Sequence, residues 1–424
     1  MFLNFTITLG ILIGLLYLSA CIPKEAIRDN LLESVEYLEE NEKEFYFIEE
    51  GNRRTVIDNY ADTILYNIMY SIDDENRMRT LLISPFYSGD VNSEYQMISI
   101  LKERIAEEKT IDTVYDRYWH GMQIIMRPMF TFWNIRQIRW IMIGTLSFLL
   151  GILAVCLWKR KQKAMSVSMI VSALLVSYPM IGMCMEYVST FFIMLVISLI
   201  CLRNYQEQLM VIHLMLISGI CCGFFDFLTT ETVAIVIPMA IVLSLRQQDG
   251  ILKSLTQELK FVIGCGIVWG TGYLTTMATK WVLSGCVLKS NRIGEAIFMM
   301  GYRQGGDVLI MTENSMSQPL EALAENIRLL VGFPLTIKTK YVLIITAMIL
   351  GAVFCFVYVY RKTGKTCVLP ALLALLSCVP VIRIIILNSH SYEHSFFTYR
   401  ALFATICCIL TAVVKITDVN LLKK

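Results

Sequence analysis

ILIGLLYLSACIPKEAIRDNLLESVEYLEENEKE, residues 11–44, turns within a few positions from an apolar run into a strongly acidic one. The run up to Cys21 carries no charged side chain, and the polar stretch after it, residues 22–137, holds 22 Asp/Glu against 13 Lys/Arg. The rest of the chain holds 24 Lys/Arg against 13 Asp/Glu, with much of the positive charge in short loops between hydrophobic runs. Lys and Arg collect in cytoplasmic loops, whereas long loops are translocated largely regardless of charge. The contrast predicts a multi-pass protein of the cell membrane whose largest polar region lies outside the cytoplasm.

Composition agrees. At 56% hydrophobic and 17% charged residues, with a mean hydropathy of +0.59, 424 residues are too apolar for a set of water-soluble domains. A net charge of +2 gives no reason to expect nucleic acid. The polar stretch has no cysteine between Cys21 and Cys156, so no disulfide framework supports it.

A spanning helix takes about 20 apolar residues. Ten segments qualify: 5–21, 138–158, 164–182, 187–202, 209–225, 232–245, 261–283, 341–360, 367–387 and 401–414. With both termini cytoplasmic, the inner loops carry 14 basic residues against Glu207, Asp249, Glu258 and Asp418. The opposite orientation would place nearly every basic loop on the wrong side. The expected layout is all-α: a first transmembrane helix (1–21), a helical extracytoplasmic loop (22–137), and a transmembrane bundle (138–424) with a further outer loop at 284–340. No inner segment is long enough for a receptor or kinase output domain. Leu18-Ser19-Ala20-Cys21 fits a bacterial lipobox, but Met1–Thr6 lacks the basic residues of a signal peptide, so the first segment is read as a membrane helix.

Within the outer loop, Ile27, Leu31, Val35 and Leu38 recur at helical spacing, suiting a helix laid along the membrane surface. Further helices are expected over 55–71 and 94–108, and residues 126–133 read as an aromatic and basic girdle at headgroup level.

Several groups of residues can carry chemistry. Asp58 and Asp62, four apart, would share one helix face, and paired carboxylates suit general-base or metal-binding work. Tyr115-Asp116-Arg117-Tyr118-Trp119-His120-Gly121, followed by Arg127, is the densest polar-aromatic cluster; aromatic faces stack on sugar rings and arginine matches phosphate oxygens. Asp226, Glu231, Lys280 and Arg383 are ionisable groups at the outer ends of apolar segments, placed for ion pairing with one another or for substrate binding. His390-Ser391-Tyr392-Glu393-His394 matches a zinc-binding H-x-x-E-H pattern. The only acid downstream is Asp418, across the membrane, so no zinc protease is expected, although His390 and His394 leave a divalent metal open. Arg400, at the top of the last helix, is in reach of a lipid phosphate.

The layout of helix, large outer loop and bundle resembles the GT-C superfamily of integral membrane glycosyltransferases, and Arg117-Tyr118-Trp119-His120-Gly121 with Arg127-Pro128 and the segment from His394 to Arg400 are similar to a poorly characterised bacterial multi-pass family of that kind. The resemblance implies a polyprenyl-phosphate-linked sugar donor, a glycan or lipid acceptor of the cell envelope, and an acidic catalytic residue in the first outer loop. Carried over, Asp58 or Asp62 is the candidate base, with Asp116 as a further acid. Arg117, Tyr118, Trp119, His120, Arg127, Asp226, Glu231, Lys280, His390, His394 and Arg400 become candidate substrate contacts. The superfamily's acidic pair just after the first helix is not matched: Glu25 and Asp29 stand there beside Lys24 and Arg28, which leaves the base open. Other readings are a ligase or polymerase of lipid-linked glycans, resting on His and Arg, a polysaccharide transporter or flippase, and a non-catalytic envelope assembly protein.

Overall fold

The computed structural model describes residues 1–89, 96–305, 318–332 and 368–417. It is built from helices, with two short antiparallel strand pairs. Seven helices are long and apolar enough to cross a membrane: α1 (Phe2–Ala20), α7 (Ile135–Lys159), α9 (Met185–Asn204), α10 (Gln208–Phe225), α12 (Leu255–Leu288), α15 (Val368–Ile386) and the span Ser395–Ile416. Two shorter apolar helices, α8 (Lys163–Leu175) and α11 (Val233–Gln248), lie among them. The expected span at 341–360 falls outside the described residues, as do the end of the chain and two parts of the loop leading into that span, 306–317 and 333–340.

The stretch between α1 and α7 folds as a cap on one end of the bundle. α2 (Lys24–Asn41) buries Ile27, Leu31, Val35 and Leu38 completely. That face meets protein: α5 (Met97–Glu107), α6 (Gln123–Phe130) and α7 pack against α2, in place of the expected membrane surface. The helix expected from residue 55 begins later, as α3 (Asn59–Tyr70), because Val56–Asp58 forms a strand, β2, paired with β1 (Phe45–Phe47). α4 (Arg77–Ile83) and the pair β3 (Pro85–Phe86) with β4 (Thr113–Val114) complete the cap. Cap and bundle share one continuous core, running from Ile27 and Leu101 through Met142 to Phe403.

Local chemistry explains several boundaries. α7 starts at a capping box in which Asn134 and Gln137 exchange side-chain-to-backbone hydrogen bonds at 3.1 and 3.2 Å. The expected span at 164–182 divides: α8 ends at Leu175, and Ser177 takes a left-handed conformation before a short 3-10 turn over Tyr178–Met183. α11 tolerates being short because residues 233–246 are all buried, as befits a helix at the centre of a bundle that is apolar on every side. α10 and α12 meet through small residues: Gly219 and Gly223 lie against the backbone of Trp269 and Tyr273, so that a Cβ at Gly219 would stand 2.1 Å from the Trp269 carbonyl oxygen.

The two ends of the bundle carry different polar networks. Opposite the cap, Arg246 pairs with Glu258 at 3.3 Å and Gln162 donates to the Ser244 carbonyl at 3.0 Å. At the cap end, the turn between α10 and α11, the start of α9, and the helices α14 (Gln318–Val331), α16 (Asn388–Glu393) and α17 (Ser395–Thr398) close around the cap.

Candidate functional site

A cavity of about 410 Å³ lies between cap and bundle. Asp58, Asp62, Tyr118, His120, His390 and His394 all line it. These six come from three separate stretches of chain; Glu393 belongs to the last of them, and Glu186 and Arg303 join from two further positions.

Asp58 is the N-cap of α3, its Oδ1 accepting from the Ala61 amide at 3.0 Å, so it precedes the helix instead of sharing a face with Asp62. Asp62 sits in the first turn and reaches across the chain: its Oδ1 accepts from the amides of Met185 and Glu186 at 2.9 and 3.2 Å. Those are the first amides of α9, whose N-cap residue Cys184 makes no side-chain cap. A carboxylate there satisfies orphan donors and complements the helix dipole. Burial outweighs these bonds: it lifts the Asp62 carboxyl to about 7, and it raises Asp58 above the usual carboxylate range. Glu186 opens α9 into the same cavity, and its Oε2 is buried without a hydrogen-bond partner.

His120 adopts φ +53°, an uncommon backbone conformation for a residue with a side chain. Its neighbour Gly121 explains how the loop is held there. The Gly121 amide donates to the Phe224 carbonyl at 3.1 Å, and a Cβ on Gly121 would come within 2.7 Å of that oxygen. The His120 Nε2 pairs with the Tyr115 carbonyl at 2.8 Å, so Nε2 carries the proton and Nδ1 is left as an acceptor. Burial, with Lys280 nearby, drives its pKa down to about 3. His390 is held likewise by the Leu228 carbonyl at 2.8 Å, and burial lowers its pKa too. His394 lies beside it, ring centres 4.7 Å apart, its pKa pushed down by burial to about 4. All three are neutral imidazoles at pH 7. Among the described residues, no group of three or more His, Cys, Asp or Glu is arranged to hold a metal ion.

The other expected site residues lie elsewhere, each tied to a partner. Asp116 forms an ion pair with Arg292 at 3.1 Å beside a separate depression, which Arg117 also borders. Trp119 is buried, stacked on Phe224 and donating to the Thr276 carbonyl at 2.8 Å. Arg127 is not at a headgroup surface: it is buried and donates to the carbonyls of Ser19 (2.9 Å), Met69 and Ile22, closing the ends of α1 and α3. Asp226 is buried in its turn, accepting from the amide and hydroxyl of Thr229. Glu231 pairs with Arg383 at 3.0 Å, the ion pair expected at the outer ends of these segments. Lys280 does not join it, and donates instead to the Leu81 carbonyl at 2.7 Å and to Ser84. Arg400 is buried against Phe396 and Arg54 carbonyls, out of reach of any lipid phosphate at the surface.

Among the charged residues of the cavity, Glu186, Arg303 and Arg53 were not anticipated. Glu186 had a signal: it is the only acid in residues 164–202, an otherwise apolar stretch, and an ionisable group in such a place marks function by default. Arg303 had none: it falls within the stretch read as an outer loop at 284–340, which the structure folds there as a helix over Arg292–Arg303. Comparison with protein-family models, curated proteins and solved structures returns no match for this chain.

Proposed function

We propose that this protein is a membrane glycosyltransferase of GT-C type, with ten spans and both termini cytoplasmic, that transfers a sugar from a polyprenyl-phosphate donor to a cell-envelope acceptor. The observation that supports it best is the cavity at the cap end of the bundle, where Asp58, Asp62 and Glu186 meet three neutral histidines. Buried carboxyls with raised pKa values are suited to take a proton at neutral pH. In this reading an acceptor hydroxyl loses its proton to Asp58, its oxygen bonds to the sugar's anomeric carbon, and the bond from that carbon to the lipid phosphate breaks. Asp58 is preferred over Asp62, because Asp62 already holds the start of α9. The unpartnered Glu186 oxygen gives the proton a second place to rest.

The test is transfer of labelled sugar from polyprenyl-phosphate donors by purified protein in vesicles. Asp58→Asn is expected to lower the rate at least about 100-fold with folding intact. Full activity in Asp58→Asn, Glu186→Gln and the double variant would remove the carboxylate base. The cluster of His120, His390 and His394 favours one rival, a ligase of lipid-linked glycans. That rival predicts joining of an intact glycan which is abolished by His120→Ala and survives Asp58→Asn.

A further inference from the structure

Beside the carboxylate cavity runs a second space of about 410 Å³, between α12, α13 (Arg292–Arg303) and α15. Its walls are apolar, with Tyr273, Met277, Met299, Val379 and Ile382 among them. Two residues, Tyr118 and Arg303, border both spaces. They touch: the Arg303 guanidinium donates to the Tyr118 hydroxyl at 2.5 Å and lies over its ring. The partition between a polar chamber and a greasy groove is thus one arginine and one phenol.

We propose that this groove seats the hydrocarbon tail of a lipid phosphate whose phosphate rests on Arg303, leaving the group esterified to it in the carboxylate cavity. The inference rests on the function proposed above and names where its donor binds.

Charge singles out Arg303. Arg53, bordering the cavity, and Arg383, bordering the groove, each sit on a carboxylate: Glu325 at 2.9 Å and Glu231 at 3.0 Å. Among the described residues Arg303 makes no such pair, and its partner is a neutral phenol. A guanidinium of this kind keeps its capacity for a bidentate phosphate. Arg117, lying over the Tyr115 ring at 5.5 Å, borders the same end of the groove and adds positive charge. An anion placed deeper, among Asp58, Asp62 and Glu186, would be repelled. The phosphate therefore belongs at the partition, with the reacting carbon beyond it.

The groove also faces the right solvent. Leu274, Ile382 and Ile386 on its rim are exposed, and they lie on α12 and α15, helices apolar enough to span a membrane. α13 turns away from α12 at Lys289, whose φ is +53°. It presents Ile293, Ile297 and Phe298 outward, the pattern of a helix in the membrane interface, while Ala296, Met299, Met300 and Arg303 line the groove. A lipid tail enters sideways from the bilayer and needs no passage through water.

The experiment uses full-length protein in nanodiscs and a photoreactive isoprenyl monophosphate, with inorganic phosphate and the uncharged isoprenol as competitors. Cross-links are expected on α12 and α15 residues of the groove. Arg303→Gln is expected to weaken binding at least about tenfold, Arg303→Lys less, and Ile382→Trp, on the exposed rim, to block the tail. Isoprenol should bind equally to wild type and Arg303→Gln, and inorganic phosphate should not compete. Unchanged affinity in Arg303→Gln, full competition by inorganic phosphate alone, or cross-links away from the groove would each overturn the assignment. Binding as expected without any sugar transfer would sink the glycosyltransferase and leave the lipid site. Transfer with an Arg303-independent donor would do the reverse.

Discussion

Asp62 holds two amides that lie 123 and 124 residues further along the chain, and so joins the cap to the bundle. Its stability contribution has a definite pH sign. Burial lifts its carboxyl to about 7 in the folded protein, against ~3.9 when unfolded. The folded state therefore binds the proton more tightly, and this group's contribution is greatest below pH ~4 and declines as pH rises toward 7. Asp62→Asn keeps an acceptor oxygen and removes the titration. Its thermal midpoint in detergent should fall less than that of wild type between pH 5 and pH 8; parallel slopes would discard the argument. Arg127 makes a contrasting case. Three carbonyls depend on it, so Arg127→Met should cost about 3 kcal/mol or more, with activity per folded molecule unchanged. A large loss of activity in fully folded Arg127→Met would return it to the substrate site. Only their neighbours in space distinguish Arg127 and Arg303: nothing in the chain around either announces that one meets carbonyls and the other a cavity.

Helix contacts follow from residue size more than from hydropathy. α10 and α12 approach closely because Gly219, Gly223 and Gly272 face backbone across the interface. Gly219→Val should separate them and abolish a monodisperse peak on size-exclusion chromatography. Gly270→Ala, on the same α12 with open space at its Cβ, is the control expected to leave the peak unchanged. Hydropathy located nine of the ten apolar segments on described helices, but the sequence pattern misjudged where α3 begins and where α8 ends. Strand pairing with β1 took Val56–Asp58 out of the helix, and a left-handed Ser177 cut the 164–182 segment. Both are decisions made by long-range pairing or a single backbone torsion, to which a 3.6-residue period is blind.

At the scale of the molecule, the charge asymmetry makes a topological prediction. In a background with the exposed native cysteines replaced by serine, Ser99→Cys on α5 should react with a membrane-impermeant maleimide in intact cells. Lys161→Cys, between α7 and α8, should react only after permeabilisation. The reverse pattern would invert the orientation. A multi-pass helical chain with one large polar cap was legible from hydropathy and charge alone, because burial in lipid demands long apolar runs whatever their neighbours. The candidate site was half legible: Asp58, Asp62, Tyr118, His120, His390 and His394 were named from residue type, and the structure brings them together. Glu186 and Arg303 entered, and Asp116, Arg127, Lys280 and Arg400 left, only when the chain was folded. A polar side chain at a membrane boundary can satisfy itself on a carbonyl, on an opposite charge, or on a substrate. Which of these it meets depends on side chains hundreds of residues away, and packing alone decides that.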